Sequence, residues 1–393
     1  MRRAAAAQLR RCRASYLHAR GAAAWAASWG NGDLGRLGLD ASCEPATVPR
    51  RVTALPGDVS SVSAGGAHSA FLLSDGRLFT CGLNESFQLG HSSGSLYTHQ
   101  PREVELSAVL CVSAGYHHTV AVTRDGAVWS WGDNAQGQAG HPGLGGVVER
   151  PTRVEALRDV RAASCSAGAR HTLVLTTDGT VYAFGTRALL GLGAAERWWV
   201  RSGSGEAMPR RIRALSSVTA VFAGSRHSAC IDKSGQLFTW GENSFHLLGR
   251  PGSPAEPGVV GGLPAIHSVA CGGLHTVAAT AGGMVYAWGA NQNGELGVEA
   301  QMSKQQRAPM LVPDLSHVAQ VSAGWRHTSA REDGGRIQAW GWGGSDGADT
   351  GGQLGTSTGC DVWAPTEVHK PPRSRALAVS CGWNHTLGVF EDT

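Results

Sequence analysis

Seven histidines are each followed directly by a hydroxyl residue: His68-Ser69, His118-Thr119, His171-Thr172, His227-Ser228, His275-Thr276, His327-Thr328 and His385-Thr386. Imidazole beside a hydroxyl is the raw material of nucleophilic catalysis, in which the ring takes the hydroxyl proton. Several histidines together also suggest a metal centre. Both chemistries demand convergence, since base and nucleophile must share a hydrogen bond and ligands must meet at one point. The steps between successive histidines are 50, 53, 56, 48, 52 and 58 residues, so each belongs to a different copy of a repeat. Equivalent residues of repeats set side by side are held apart rather than gathered. The seven are therefore expected to be structural, each histidine and the Ser or Thr that follows it hydrogen-bonding within its own blade. No Ser-His-Asp set and no pair of carboxylates rises above the repeat pattern. Catalysis, a cofactor and a metal are not expected.

The elements that carry these histidines follow from two interlocking signatures. The first reads [AC]-G-x-x-H-[ST], from Ala64-Gly65 through Ala114-Gly115, Ala167-Gly168, Ala223-Gly224, Cys271-Gly272 and Ala323-Gly324 to Cys381-Gly382. The second, close to W-G-x-N-x-x-G-Q-L-G, begins at Cys81, Trp131, Phe184, Trp240, Trp288 and Trp340, and in the last copy Trp342 to Gly351 reads as an insertion. Between the two lie Asp75-Gly76, Asp125-Gly126, Asp178-Gly179, Ser234-Gly235, Gly282-Gly283 and Asp333-Gly334. These are hairpin signals, because glycine accepts the positive φ that tight turns demand. A third element, P-x-x-[VI], opens most repeats, as in Pro49…Val52, Pro101…Val104, Pro151…Val154, Pro209…Ile212, Pro309…Val312 and Pro365…Val368. Each repeat is thus a small antiparallel sheet that cannot cover both faces alone. Stacking around a ring covers them.

The chain ends fix the count. A W-G segment, Trp29 to Gly38, has no histidine signature before it, and the seventh histidine signature has no W-G segment after it. Two half-repeats complete one blade, so residues from about Ala22 to Gly38 should pair with Ala376 to Phe390 and leave no open edge. The expected fold is all-β, a seven-bladed β-propeller over residues 22–393, closed by the N-terminal strand.

Composition agrees. The 393 residues include 55 glycines and 13 tryptophans, with 16% charged. No run approaches the ~18 apolar residues of a membrane-spanning helix. The first 32 residues contain six arginines (Arg2, Arg3, Arg10, Arg11, Arg13, Arg20) and no acid; removing them from 34 basic residues leaves 28 against 30 acidic. A near-neutral body gives no strong DNA-binding signal, since phosphate neutralisation requires a basic excess. Residues 1–21, rich in Arg and Ala, read as a mitochondrial transit peptide, with a disordered tail of a cytoplasmic or nuclear protein as the alternative. Nine single cysteines without C-x-x-C read as buried small hydrophobes of a reducing compartment.

At these signatures the chain resembles the regulator of chromosome condensation repeat family over residues 22–393. The resemblance implies a seven-bladed propeller and three kinds of role. One is guanine-nucleotide exchange on a small GTPase through a wedge from one blade, which no segment here matches. A second is ultraviolet-B reception through tryptophans in consecutive G-W-R-H-T motifs. Here Gly324-Trp325-Arg326-His327-Thr328 fits and Gly382-Trp383-Asn384-His385-Thr386 nearly fits, while the other repeats hold Gly66, Tyr116, Ala169, Ser225 and Gly273. The third role, organellar RNA processing or ribosome and respiratory-complex biogenesis as a non-enzymatic scaffold, is the one the Arg-rich N-terminus favours. A protein partner is expected, with RNA or a small GTPase as other partners. The partner-binding residues expected are Trp325, Arg326 and Trp383 on adjacent blades, and Trp198 and Trp199 in the long Arg197–Arg201 loop.

Overall fold

The computed structural model describes residues 23–39, 44–91, 94–143, 146–193, 205–298, 304–344 and 351–393. They form seven four-stranded antiparallel sheets. In blade 1 the strands, lettered from the centre outward, are a (Val59–Ala64), b (His68–Leu73), c (Leu78–Leu83) and d (Tyr97–Glu103). Blades 2 to 6 repeat this order over 109–153, 162–211, 218–259, 266–311 and 318–367. The histidine signature joins a to b, the Asp-Gly type of turn joins b to c, and the W-G signature ends c. Strands a of successive blades adjoin one another and enclose a central channel.

The two ends of the chain build blade 7. Its strands a (Ser374–Cys381) and b (His385–Asp392) come from the C-terminus, and c (Ala24–Gly30) and d (Ala46–Arg51) from the N-terminus. Strand c lies antiparallel to b in register from Ala24 opposite Glu391 to Gly30 opposite His385. The expected closure is present. Residues 1–22, to which the targeting expectation belongs, and Trp198 and Trp199 lie outside the described residues.

Burial explains the sequence pattern of each strand. Strand b is sandwiched between neighbouring blades, and all six residues of His68–Leu73, His118–Thr123 and His171–Thr176 are buried. Such strands read as continuous apolar runs rather than alternating ones. Strand d is an edge, where proline and charge are tolerated and discourage pairing with other chains. The last residue of P-x-x-[VI] ties it inward: Val104 N–H donates to Leu78 O at 2.8 Å and Val154 N–H to Val128 O at 2.9 Å. Blade 4 carries a copy that the sequence reading left out, Pro257…Val260, whose Val260 N–H donates to Leu237 O at 2.9 Å.

That copy was obscured because strand d of blade 4 is only Gly258–Val259. The Arg250 guanidinium occupies the place of the missing ladder, donating to Thr239 O at 2.8 Å, Ser253 O at 3.0 Å, Glu256 O at 2.7 Å and Pro251 O at 2.9 Å. Hydrogen bonds from a charged donor contribute about 1.5–3 kcal/mol each, and carbonyls left unpaired add a penalty. Arg250→Ala is therefore expected to destabilise the protein by about 2–4 kcal/mol. Urea unfolding checks this, and a loss below about 1 kcal/mol would show the loop holding itself.

Between blades, Trp131, Trp240, Trp288 and Trp340 are fully buried. Each donates its indole N–H to a carbonyl of the preceding blade: Gln88 O at 2.9 Å, Leu189 O at 3.0 Å, Leu247 O at 2.8 Å and Glu295 O at 2.9 Å. Packing between blades, expected of this residue, is what the structure shows. Cys81, Cys111, Cys230 and Cys381 are buried and Cys165 and Cys271 half-buried, as small apolar residues should be. Cys360 corrects the general expectation. It is exposed, because it precedes strand d of blade 6 outside any repeat position.

Candidate functional site

The imidazoles do not bond within their own blades. Each Nε2 meets the hydroxyl of the next blade: His68 with Thr119 at 2.9 Å, His118 with Thr172 at 2.9 Å, His171 with Ser228 at 2.8 Å and His227 with Thr276 at 2.7 Å. His275 meets Thr328 at 2.8 Å, His327 meets Thr386 at 2.9 Å, and His385 meets Ser69 at 2.9 Å, completing a circle. The correction has a steric reason. Successive residues of a strand point to opposite faces, so a histidine and its own hydroxyl face different neighbouring blades.

Hydrogen-bond accounting sets the protonation. Thr119 donates its single hydroxyl proton to Gln88 O at 2.8 Å, Thr172 to Gln138 O at 2.7 Å and Thr328 to Glu295 O at 2.9 Å. Each hydroxyl must then accept from Nε2–H, and Nδ1 of all seven rings is buried without a partner, surroundings that favour the neutral ring. All seven rings are fully buried. Burial pushes the pKa down to about 3 for His68, His118, His171, His227 and His327 and to about 4 for His275, and holds His385 well below the usual range. Buried imidazoles linked in a circle bring no ligand set to a point. Among the described residues no three of His, Cys, Asp or Glu are placed to hold a metal ion. Among the described residues no helix is long and apolar enough to cross a membrane.

A second circle surrounds the mouth of the channel. The residue after each A-G or C-G donates its N–H to the adjoining blade, from Gly66 to Gly115 O at 3.0 Å through to Trp383 to Gly65 O at 3.0 Å. The residues at these seven positions are Gly66, Tyr116, Ala169, Ser225, Gly273, Trp325 and Trp383, and they line the opening together with the A-G and C-G pairs before them. Three aromatic rings gather on one side. Trp325 and Trp383 stack with centroids 4.0 Å apart and planes at 8°, and Tyr116 lies 4.3 Å from Trp383. Trp325 leans over Gly273, where a Cβ would stand 2.5 Å from its Cε3, and Tyr116 leans over Gly66, where a Cβ would stand 2.5 Å from its Cδ2. These two glycines make room for the stack.

The structure thus brings Trp325 and Trp383 into contact and adds Tyr116, which sequence reasoning recorded but did not select. Its signal was an aromatic at the tryptophan position two blades on. Arg326 turns away from the pair, donating from Nη1 to Asn293 Oδ1 at 3.2 Å in a loop of blade 5. Beside it lies Glu295, fully buried where the corresponding loops hold Gln88, Gln138 and Gln353. Burial raises the Glu295 carboxyl above its usual pKa, against the Asn293 N–H and the Arg326 charge. Arg210 and Arg211 lie on strand d of blade 3 as repeat residues, and Arg210 pairs with Glu206 at 3.4 Å.

A family model described as the RCC1-like domain matches residues 26–388. The chain belongs to the RCC1-like domain family. Ultraviolet-B receptor UVR8 of Arabidopsis thaliana is 32% identical over 93% of this chain and 70% of its own. The secretion-regulating guanine nucleotide exchange factor of Mus musculus is 32% identical over 94% of this chain and 84% of its own. Among solved structures, Prp20p from Saccharomyces cerevisiae, described with its binding to Gsp1p and histones, superposes with a TM-score of 0.83 at 20% identity, over 97% of this chain and 94% of that one. Human WBSCR16 gives 0.80 at 23% identity, over 94% and 99%. At these identities the two structures show the shared RCC1-like fold. Members of one fold serve unrelated ends, so function lies in the residues of the site and not in the fold.

Proposed function

We propose that this RCC1-like propeller is a non-catalytic platform that docks a protein partner at the aromatic side of its channel mouth. Its setting is the mitochondrion, in support of RNA processing, ribosome assembly or respiratory-complex biogenesis. The observation that carries the docking reading is the asymmetry of the mouth. Three half-buried aromatics stack on one side of a ring whose other positions are Gly, Ala and Ser. Half-buried aromatics in a depression are the anchors on which protein interfaces concentrate their energy. The Arg-rich N-terminus supports the compartment. Direct base stacking is disfavoured here, because Trp325 is covered by Gly273 on one side and Trp383 on the other, leaving no open ring face there.

The test is Trp325→Ala with Trp383→Ala, followed by capture of partners from the compartment to which residues 1–30 direct a fluorescent protein. Capture of the principal partner is expected to fall about tenfold or more. The melting temperature should fall by only a few degrees, because the rings lie at a rim and not between blades. Unchanged capture, or collapse of the fold, removes the docking reading. Diffuse cytosolic or nuclear fluorescence removes the mitochondrial one. A second reading, nucleotide exchange on a small GTPase, is favoured by the likeness to the mouse exchange factor. Accelerated nucleotide release from a candidate GTPase supports it.

A further inference from the structure

We propose that Cys111 and Cys165 are a redox-active thiol pair that reacts with hydrogen peroxide and closes into a disulfide joining blade 2 to blade 3. Cys111 stands four residues before Gly115 on strand a of blade 2, and Cys165 three residues before Gly168 on strand a of blade 3. Side-chain bonds elsewhere in the ring show that these two positions meet across a blade boundary. Gln320, at the first position in blade 6, donates from Nε2 to the carbonyl of Val379, at the second position in blade 7, at 2.9 Å. Its Oε1 accepts from the Val379 N–H at 3.2 Å. Ser268 of blade 5 likewise accepts from the Val321 N–H of blade 6 at 3.2 Å. The second position is valine in the other six blades, and the first is Ser, Ala or Gln. At the boundary between blades 2 and 3 the same positions set sulfur against sulfur.

Cys165 packs against the buried cluster that contains Cys111, Val174 and Phe184, and its Sγ lies 3.5 Å from Val120 O of blade 2. The hydrogen bond between the thiols holds Cys111 below the usual thiol range, against its burial, and holds Cys165 well above it. Cys111 is accordingly the nucleophile, since the thiolate is the reactive form. Cys111 is buried and Cys165 half-buried, a placement that admits a small oxidant more readily than a bulky disulfide. The Cys111 sulfur attacks one oxygen of the peroxide, the O–O bond breaks, and the departing oxygen leaves as water with the thiol's proton. Cys111 becomes a sulfenic acid. The Cys165 sulfur then attacks the Cys111 sulfur, the S–O bond breaks, and the hydroxyl leaves as a second water with the Cys165 proton. The two sulfurs lose two electrons and the peroxide gains two. Ala114 and Ala167, three residues beyond Cys111 and two beyond Cys165, line the mouth. The link therefore fixes the spacing of two blades at the mouth.

The experiment treats the full reduced chain with hydrogen peroxide, blocks the remaining thiols by alkylation, and identifies linked peptides by mass spectrometry without reduction. The expected main product is a link between the Cys111 and Cys165 peptides, lighter than the two thiol peptides by about 2 Da for two hydrogens. Closing a loop of about fifty residues should raise the melting temperature by about 5 °C, an effect reversed by dithiothreitol. Cys165→Val installs the residue of the other six blades, and Cys111→Ser the residue found at Ser61, Ser164 and Ser268. Each reduced variant should melt within about 3 °C of the parent and lose the rise caused by peroxide. Where one variant fails to fold, the other carries the control. Both thiols recovered in alkylated form, or Cys111 recovered as a sulfinic acid in place of the link, overturns the pair. A rise in melting temperature that survives in both variants places the reactive thiols elsewhere and overturns it as well.

Discussion

Stability is expected to collapse between about pH 6.5 and pH 5, far above the pH at which ordinary carboxylates protonate. Six of the seven ring histidines have folded-state pKa values of about 3 to 4 and the seventh is also well below 6.5. A folded pKa below the unfolded one means that the unfolded chain takes up protons that the native chain refuses. Stability is therefore fully present above about pH 6.5 and lost as the pH falls toward the folded values. Each histidine contributes a slope of about 1.4 kcal/mol per pH unit once the unfolded ring is charged, and seven approach roughly 9 kcal/mol per unit. Total stabilities of about 5–15 kcal/mol are exhausted within one or two units of that slope. Glu295, raised by burial, acts in the opposite sense, but it is one group against seven.

Urea midpoints at pH 7.5, 6.5, 6.0 and 5.5 measure the slope, which gives the number of protons taken up on unfolding. About five or more near pH 5.5 is expected. His171→Gln, which retains a donor of similar reach toward Ser228, should lower the uptake by about one. Stability that stays level down to pH 5 would mean that the rings accept protons in place.

The second large effect concerns closure. A chain starting at residue 23 should unfold like the full chain, with melting temperatures within about 2 °C. A chain starting at residue 32 should show no cooperative transition and should aggregate. The nine residues that separate the two include strand c of blade 7, which pairs with both its neighbours. They also bring Trp29, fully buried, and Trp25, stacked on Phe390 at 5.1 Å and donating to Asp392 at 2.9 Å. Losing one buried Trp costs about 3–5 kcal/mol, so losing both approaches the whole stability of the fold. The exposed edge of strand b would then be free to pair with other chains. Scanning calorimetry and light scattering on the two chains check this. A cooperative transition near the parental temperature for the shorter chain would show that the ring holds without its clasp.

The repeat spacing, the hairpin turns and the two unmatched half-repeats determine the number of blades, their strand order and the splicing of the termini. This information is local and periodic: each signature is a turn or strand whose residues interact within a few positions, and repetition makes the signal unmistakable. The spread of His68 and its six counterparts around the ring, one to a blade, was equally legible. What each histidine touches was not. His68 bonds Thr119, some fifty residues away, and only the angular placement of one blade against the next decides that the partner is the following blade's hydroxyl. Pro257…Val260 was hidden because Arg250 replaces the pairing that would have marked its strand.

The mouth shows the same division. Sequence placed Trp325 and Trp383 at equivalent ring positions and so near one another. The tertiary structure decided that they stack, that Tyr116 crosses Gly66 to join them, that Arg326 turns toward Asn293, and that Ala169 and Ser225 are left uncovered. Each of those outcomes depends on how a side chain leans across a blade boundary. For Trp325 and Tyr116 that direction is set by the free space beside Gly273 and Gly66, residues distant in sequence and silent in any single repeat.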